Sequence, residues 1–201
     1  MGITISGRLI LASASPRRIE LLNLLGLAFE VMPSGVDEDS RRGETPREHA
    51  VRLAEEKALA VARRAPAAWV LGADTIVVVD REVLGKPRSA ADAQAMLERL
   101  SGREHAVYTG FSIAGRGAGT LVRRVVESTV LFREIAPDEM AWYLASEEPY
   151  DKAGAYAIQG RGAFFIREIR GSYTNVVGLP LAEVVDALRD LSAVAFSGGD
   201  P

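Results

Sequence analysis

At 201 residues the chain is long enough for one sizeable core or two small lobes. Its 48% apolar and 25% charged content is that of a soluble globular protein, and a formal net charge of −3 gives no basic character for nucleic-acid binding. The lack of cysteine excludes disulfides, thiolate metal sites and a cysteine nucleophile and suits a reducing compartment, while His49 and His105, the only histidines, disfavour a histidine metal cluster.

Met1 to Arg8 is polar and broken by glycine, so it does not read as a signal peptide, and no apolar run approaches the length of a membrane span. Leu9 to Ala12 reads as a short buried strand, Ser13 to Ser15 as a tight polar turn, and Pro16 as the opening of a helix. Ser15 is placed to cap that helix and Gly26 to end it. Arg17 and Arg18 then stand in the first helical turn, where the partial positive charge of the helix terminus disfavours cations. They make sense if an anion is held there by backbone N–H groups, serines and guanidinium forks. The competing reading is a pair of solvated surface arginines steadied by acids such as Glu20.

Ala28 to Pro33 predicts a second strand, and Ser34 to Asp39, with Asp37-Glu38-Asp39 at its end, an acidic loop. The loop suits a hard cation, which prefers oxygen ligands, although a solvated acidic run is the commoner case. Thr45-Pro46-Arg47-Glu48 is a capping box with proline at the first helical position, and its helix runs to about Arg64. Helical spacing puts Ala50, Ala54, Lys57 and Val61 on one small-residue stripe.

Trp69 to Asp80 predicts an apolar strand with Asp74 and Thr75 set inside it. A carboxylate in such a strand needs a partner or a task, and Asp74 could hold a divalent cation, take a proton from water, or pair structurally with a lysine. Arg81 to Pro87 reads as a turn carrying Gly85-Lys86-Pro87, and Ser89 to Leu100 as another capped helix. Arginine supplies most of the positive charge, so Lys57 on its small-residue face and Lys86 in its tight turn are better phosphate ligands than an average lysine, and Lys152 in a polar loop a weaker one. Two further strands, His105 to Ala114 and Thr120 to Ile135, are joined by the glycine-rich 115–119 loop into a long hairpin. Pro137 opens a helix to about Ser146, Ala163 to Arg170 alternates like a strand, and an amphipathic helix ends near Leu191. The expectation is a mixed α/β chain with one domain over 1–195, in two lobes around a cleft, and a disordered tail over 196–201. His49 and His105 read as structural.

No P-loop, dinucleotide fingerprint or nucleophile elbow is present. Paired arginines, two lysines and several carboxylates are nonetheless what polyphosphate binding with a divalent cation requires. Direct attack by water is favoured over a covalent intermediate.

Ser13-Ala14-Ser15-Pro16-Arg17-Arg18, the 34–38 loop, Glu56-Lys57-Ala58, Gly72-Ala73-Asp74-Thr75, Gly85-Lys86-Pro87, the 151–160 run ending in Gln159-Gly160, and Val177-Gly178-Leu179-Pro180-Leu181 follow one another in an order that resembles the Maf family. The resemblance spans residues 9 to 181, with Ala14 where glycine is common. It implies an inosine-triphosphate-pyrophosphatase-like α/β fold and a nucleoside triphosphate pyrophosphatase that cleaves between the α- and β-phosphates. A divalent cation (Mg or Mn), a cytoplasmic location and often a homodimer come with it. By resemblance Asp74 matches the proton acceptor, and Ser13, Arg17, Arg18, Lys57 and Lys86 the cluster around the phosphates. Glu38 matches an acid acting through metal or water, which makes Glu38 and Asp74 the candidate metal ligands. Arg17, Thr75 and Gln159 match positions tied to substrate choice in the branch acting on dTTP and UTP. The alternatives are the branch acting on 7-methyl-GTP, a nucleotide-sensing inhibitor of septum formation, and a nucleotidyltransferase.

Overall fold

The computed structural model describes residues 2–115, 117 and 119–197, and it divides into two compact units. The first comprises residues 1–74, 109–125 and 178–201; the second comprises residues 75–108 and 126–177.

In the first unit, β1 (Gly2–Ile5) pairs antiparallel with β9 (Val194–Ser197), with Ile3 opposite Phe196. Neither strand is expected from the sequence: β1 lies in the polar N-terminal stretch, and β9 takes Phe196 and Ser197 out of the expected 196–201 tail, of which 198–201 lie outside the described residues. Each strand gains its backbone partners only from the other end of the chain.

The apolar run β2 (Leu9–Leu11) is fully buried and pairs in parallel with β3 (Glu30–Val31) and β4 (Trp69–Val79). Two parallel neighbours need crossovers. They are supplied by α1 (Pro16–Asn23) and α2 (Pro46–Ala62). The capping box of α2 is formed as the sequence indicates: Glu48 N donates to Thr45 Oγ1 (3.3 Å) and Thr45 N to Glu48 Oε2 (2.9 Å). At α1 the expected cap is absent. Ser15 occupies the N-cap position without a side-chain bond, and its own N–H donates to Ser13 Oγ (3.2 Å). Gly26 does follow the helix end with φ of 66°.

Ala58, Val61, Ala62, Ile10, Val70 and Ala114 belong to one buried cluster of this unit. Two glycines let α2 come unusually near the sheet. A Cβ on Gly72 would lie 2.2 Å from Ala54 O, and one on Gly110 would lie 2.2 Å from Ala50 O. The small stripe on α2 and the side-chain-free positions on the strands are thus one packing device.

Among the described residues, the larger sheet has seven strands in the order β3-β2-β4-β6-β7-β8, with β5 on β4. Here β5 is Glu82–Leu84, β6 Glu104–Gly115, β7 Thr120–Phe132 and β8 Ile166–Arg170. The β5 strand corrects the expected turn over 81–87: Asp80 and Arg81, both at positive φ, make the turn, and the chain folds back antiparallel so that Val83 faces Val78. The β6 and β7 strands form the expected pair, and Arg116 and Ala118 of their loop lie outside the described residues.

In the second unit, α3 (Ala90–Leu100) and α4 (Pro137–Leu144) contribute Leu97, Leu100, Met140 and Tyr143 to a core with Val77, Val107, Phe132, Tyr156 and Phe165. The strand expected over 163–170 begins only at Ile166, because Arg161–Phe165 is a 3₁₀ turn. The helix α5 (Tyr173–Val177) ends this unit, and α6 (Leu181–Asp190), in the first unit, precedes β9. No helix among the described residues is long and apolar enough to cross a membrane. Each of the two units has its own buried core.

Candidate active site

The first unit holds six of the sequence-predicted site residues: Ser13, Arg17, Arg18, Glu38, Lys57 and Asp74. Side chains alternate along a strand, so Gly72 and Asp74 of β4 share a face, the one that α2 approaches at Gly72. Lys57 lies on the same stripe of α2 as Ala54 and Ala58, the residues that the missing Cβ of Gly72 admits. Close packing there carries the ammonium to Asp74: Lys57 Nζ donates to Asp74 Oδ1 at 2.7 Å, with Lys57 5% and Asp74 7% exposed. The same nitrogen donates to Glu38 Oε1 at 2.5 Å, from the acidic loop between β3 and α2. One ammonium thus bridges two carboxylates, one buried and one largely exposed. The second oxygen of Asp74 accepts no hydrogen bond among the described residues.

The arginine pair divides. Arg18 is half-buried and anchored by the protein: Nε donates to Gly178 O (2.8 Å) and a terminal nitrogen to Ser13 Oγ (3.2 Å). Burial pushes its pKa below the ordinary value, the Asp74 and Glu38 carboxylates pull against that shift, and neighbouring Arg17 adds to it. Arg18 is therefore a half-buried positive charge close enough to Asp74 and Glu38 to feel both carboxylates. Arg17 has no hydrogen bond or ion pair among the described residues and is half-exposed, open to an incoming anion. Ser13, 8% exposed, accepts from both Ser15 N–H and Arg18, so its hydroxyl orders the turn.

Thr75, Lys86 and Gln159 fall in the second unit. Thr75 is half-buried on β4, Lys86 is exposed after β5 without a hydrogen bond or ion pair among the described residues, and Gln159 is exposed before the 161–165 turn. Lys152 is committed to Asp151. His105 is a core residue of this unit, with Nε2 2.8 Å from Tyr156 Oη, and His49 pairs with Glu44 in the first unit, so both histidines take structural places.

Glu38 and Asp74 offer the hard oxygen donors that Mg or Mn favour. No group of three His, Cys, Asp or Glu able to hold a metal occurs among the described residues. Magnesium is commonly held by one or two carboxylates together with substrate phosphates, so this pair fits a cation bound jointly with its substrate rather than in an all-protein cage. Sequence reading missed the Gly178 carbonyl under Arg18 and the Arg52–Glu44 contact behind the acidic loop. The first had no local signal. The second is foreshadowed only by an arginine on α2 near several acids.

The family model described as Maf-like protein matches residues 8–191. The chain is 62% identical over 191 residues to the dTTP/UTP pyrophosphatase of Syntrophus aciditrophicus (strain SB), covering 95% of this chain and 93% of that one. It is 56% identical to the dTTP/UTP pyrophosphatase of Myxococcus xanthus (strain DK1622), covering 90% and 91%. Among solved structures it is similar to the Staphylococcus aureus Ham1 protein at 19% identity and a TM-score of 0.44, covering 65% of this chain and 72% of that chain. A family match from just before β2 to just past α6, with relatives identical at more than half of their aligned positions, places this chain in the Maf-like family.

Proposed function

We propose that the chain hydrolyses dTTP and UTP to the nucleoside monophosphate and pyrophosphate. The observation that carries the reading is Lys57, held between Asp74 and Glu38 in the unit that also sets Arg18 and the open Arg17 at a helix start. The names of the relatives at 62% and 56% identity support the substrates.

In this reading Lys57 fixes Asp74 through Oδ1, and Oδ2 accepts the proton of a water. The oxygen of that water attacks the α-phosphorus, the bond from that phosphorus to the bridging oxygen breaks, and pyrophosphate departs. Arg17 neutralises the phosphates at the start of α1, and Arg18 with Ser13 holds the turn that presents it. Glu38 and Asp74 would hold the divalent cation, which when bound supplies polarisation of a phosphoryl oxygen. Lys86 is assigned to the phosphates, and Thr75 and Gln159 with Arg17 to choice of base, on the strength of the resemblance. A cytoplasmic, homodimeric protein completes the reading and suits a chain without cysteine.

The test is pyrophosphate release over a panel of nucleoside triphosphates, with Mg, with Mn and with chelator. Turnover confined to dTTP and UTP and abolished by chelator is the expected result. Equal turnover of every nucleotide, or none, overturns the assignment. If a septum-formation phenotype persists with Asp74→Asn, that role is separate from catalysis.

A further inference from the structure

The loop over residues 32–45 has no regular structure of its own, yet it delivers Glu38 to Lys57 within hydrogen-bonding distance. A loop of that length needs fixing if one of its side chains is to be placed to a fraction of an ångström. The fixing comes from α2. Arg52 Nε donates to Glu44 Oε1 (2.6 Å) and a terminal nitrogen to Glu44 Oε2 (2.9 Å), a two-point grip on the end of the loop. That same terminal nitrogen donates to Asp39 O (3.0 Å), the carbonyl next to Glu38, and the other terminal nitrogen to Glu56 Oε2 (3.1 Å). Arg41 of the loop reaches the second oxygen of Glu56 (2.7 Å) and donates its backbone N–H to Glu44 (3.2 Å). Inside the loop, Asp39 N–H donates to Asp37 Oδ1 (3.1 Å), so Glu38 sits within a short Asx turn. The Arg52 side chain is only 13% exposed and that of Glu44 9%. The Arg52 hydrogen bonds hold the Glu44 carboxyl down to about 2, so the grip is charged at any pH near neutrality.

We propose that Arg52 is a positioning residue: by clamping the 37–44 loop to α2 it sets Glu38, and through Glu38 the Lys57–Asp74 pair, for the reaction. The inference rests on the active-site reading given above. Arg52 bonds to none of the assigned substrate-contacting side chains; its connection runs through the Asp39 carbonyl and the Glu44 carboxylate. Geometry makes arginine necessary, since its nitrogens serve three separate acceptor groups at once while a lysine ammonium, a single point, cannot span them.

The experiment combines amide hydrogen exchange with a double-mutant cycle on the full chain. Arg52→Lys is expected to speed exchange in the 37–44 loop while β4 and α6 keep their protection, and to lower kcat/KM for dTTP about tenfold. Glu44→Gln, which keeps the shape of the side chain, is expected to do the same to a smaller degree and stands in if Arg52→Lys does not fold. In a Glu38→Gln background, Arg52→Lys is expected to cost less than about twofold more, because the residue it positions is already lost. An equal loss in both backgrounds, or a Glu38→Gln enzyme with wild-type kcat/KM, overturns the positioning role. If the wild-type chain turns over no nucleotide, the functional reading fails on its own, and the clamp is then decided by exchange: faster exchange confined to 37–44 upholds it and unchanged exchange removes it.

Discussion

At the scale of single residues, the site is set by how few ways a buried charge can be satisfied. Asp74 in an apolar strand needs a cation, and Lys57 is buried beside it. Asp74→Asn keeps an acceptor for Lys57 and removes the proposed base. Pyrophosphate release from dTTP should fall about a hundredfold or more, with the urea midpoint little changed. A variant that turns over dTTP at the wild-type rate refutes the assignment. Lys57→Met is the opposite case: it leaves a buried carboxylate unpaired and should cost about 3 kcal/mol or more in urea unfolding as well as turnover. Adding Asp74→Asn to Lys57→Met should return part of that stability and none of the activity. Gln159→Ala, in an exposed position, should leave stability alone and narrow the gap in kcat/KM between pyrimidine and purine nucleotides. Unchanged ratios across the nucleotide panel would remove Gln159 from base selection.

At the scale of elements, the decisive contact is α2 on β4. The small-residue stripe of α2 is legible in the sequence by its spacing, and so is the capping box that fixes where the helix starts. The depth of the contact is not legible. It depends on Gly72 and Gly110, whose absent side chains face the backbone of α2 from two strands that are far apart in the chain. A methyl group at position 72 would meet the Ala54 carbonyl at 2.2 Å, backbone that cannot rotate aside. Gly72→Ala should therefore lift α2, destabilise the chain by about 2 kcal/mol and lower turnover through the Lys57–Asp74 distance, while Gly85→Ala, in open space, should do neither. A Gly72→Ala enzyme as stable and as active as the wild type would dismiss this account. The α1 terminus shows the converse limit. The sequence puts Ser15 at the N-cap, but Ser13 Oγ takes Ser15 N–H and Arg18 instead, a choice made by the Gly178 carbonyl that anchors Arg18 from 160 residues away.

At the scale of the whole molecule, each of the two units has its own core, and the second carries a pH dependence. Burial lowers the His105 pKa from 6.5 to about 4, and its ring bonds to Tyr156 in the core. As pH falls below 6.5 the unfolded chain takes up the proton first. The stability contributed by neutral His105 is therefore complete above pH 6.5, declines as pH drops toward 4, and is constant below that. The loss over that window is about 3 kcal/mol. It is measured as the difference in urea unfolding between the wild type and His105→Gln at pH 7, 5 and 4, and a difference that does not change with pH would refute it. By itself, the sequence determined most helices and inner strands, the α/β class and the residue types of the proposed phosphate site, because apolar period, capping residues and glycine or proline stops act over a few neighbours. It also carried the resemblance to the family that the match over residues 8–191 bears out. Only the tertiary structure decided the pairing of β1 with β9, the strand inside the 81–87 turn, the division of labour between Arg17 and Arg18, and the clamp of Arg52 on the Glu38 loop. Each of those depends on a partner brought from elsewhere in the chain, and hydrogen bonds and close backbone contacts are selected by that partner rather than by local spacing.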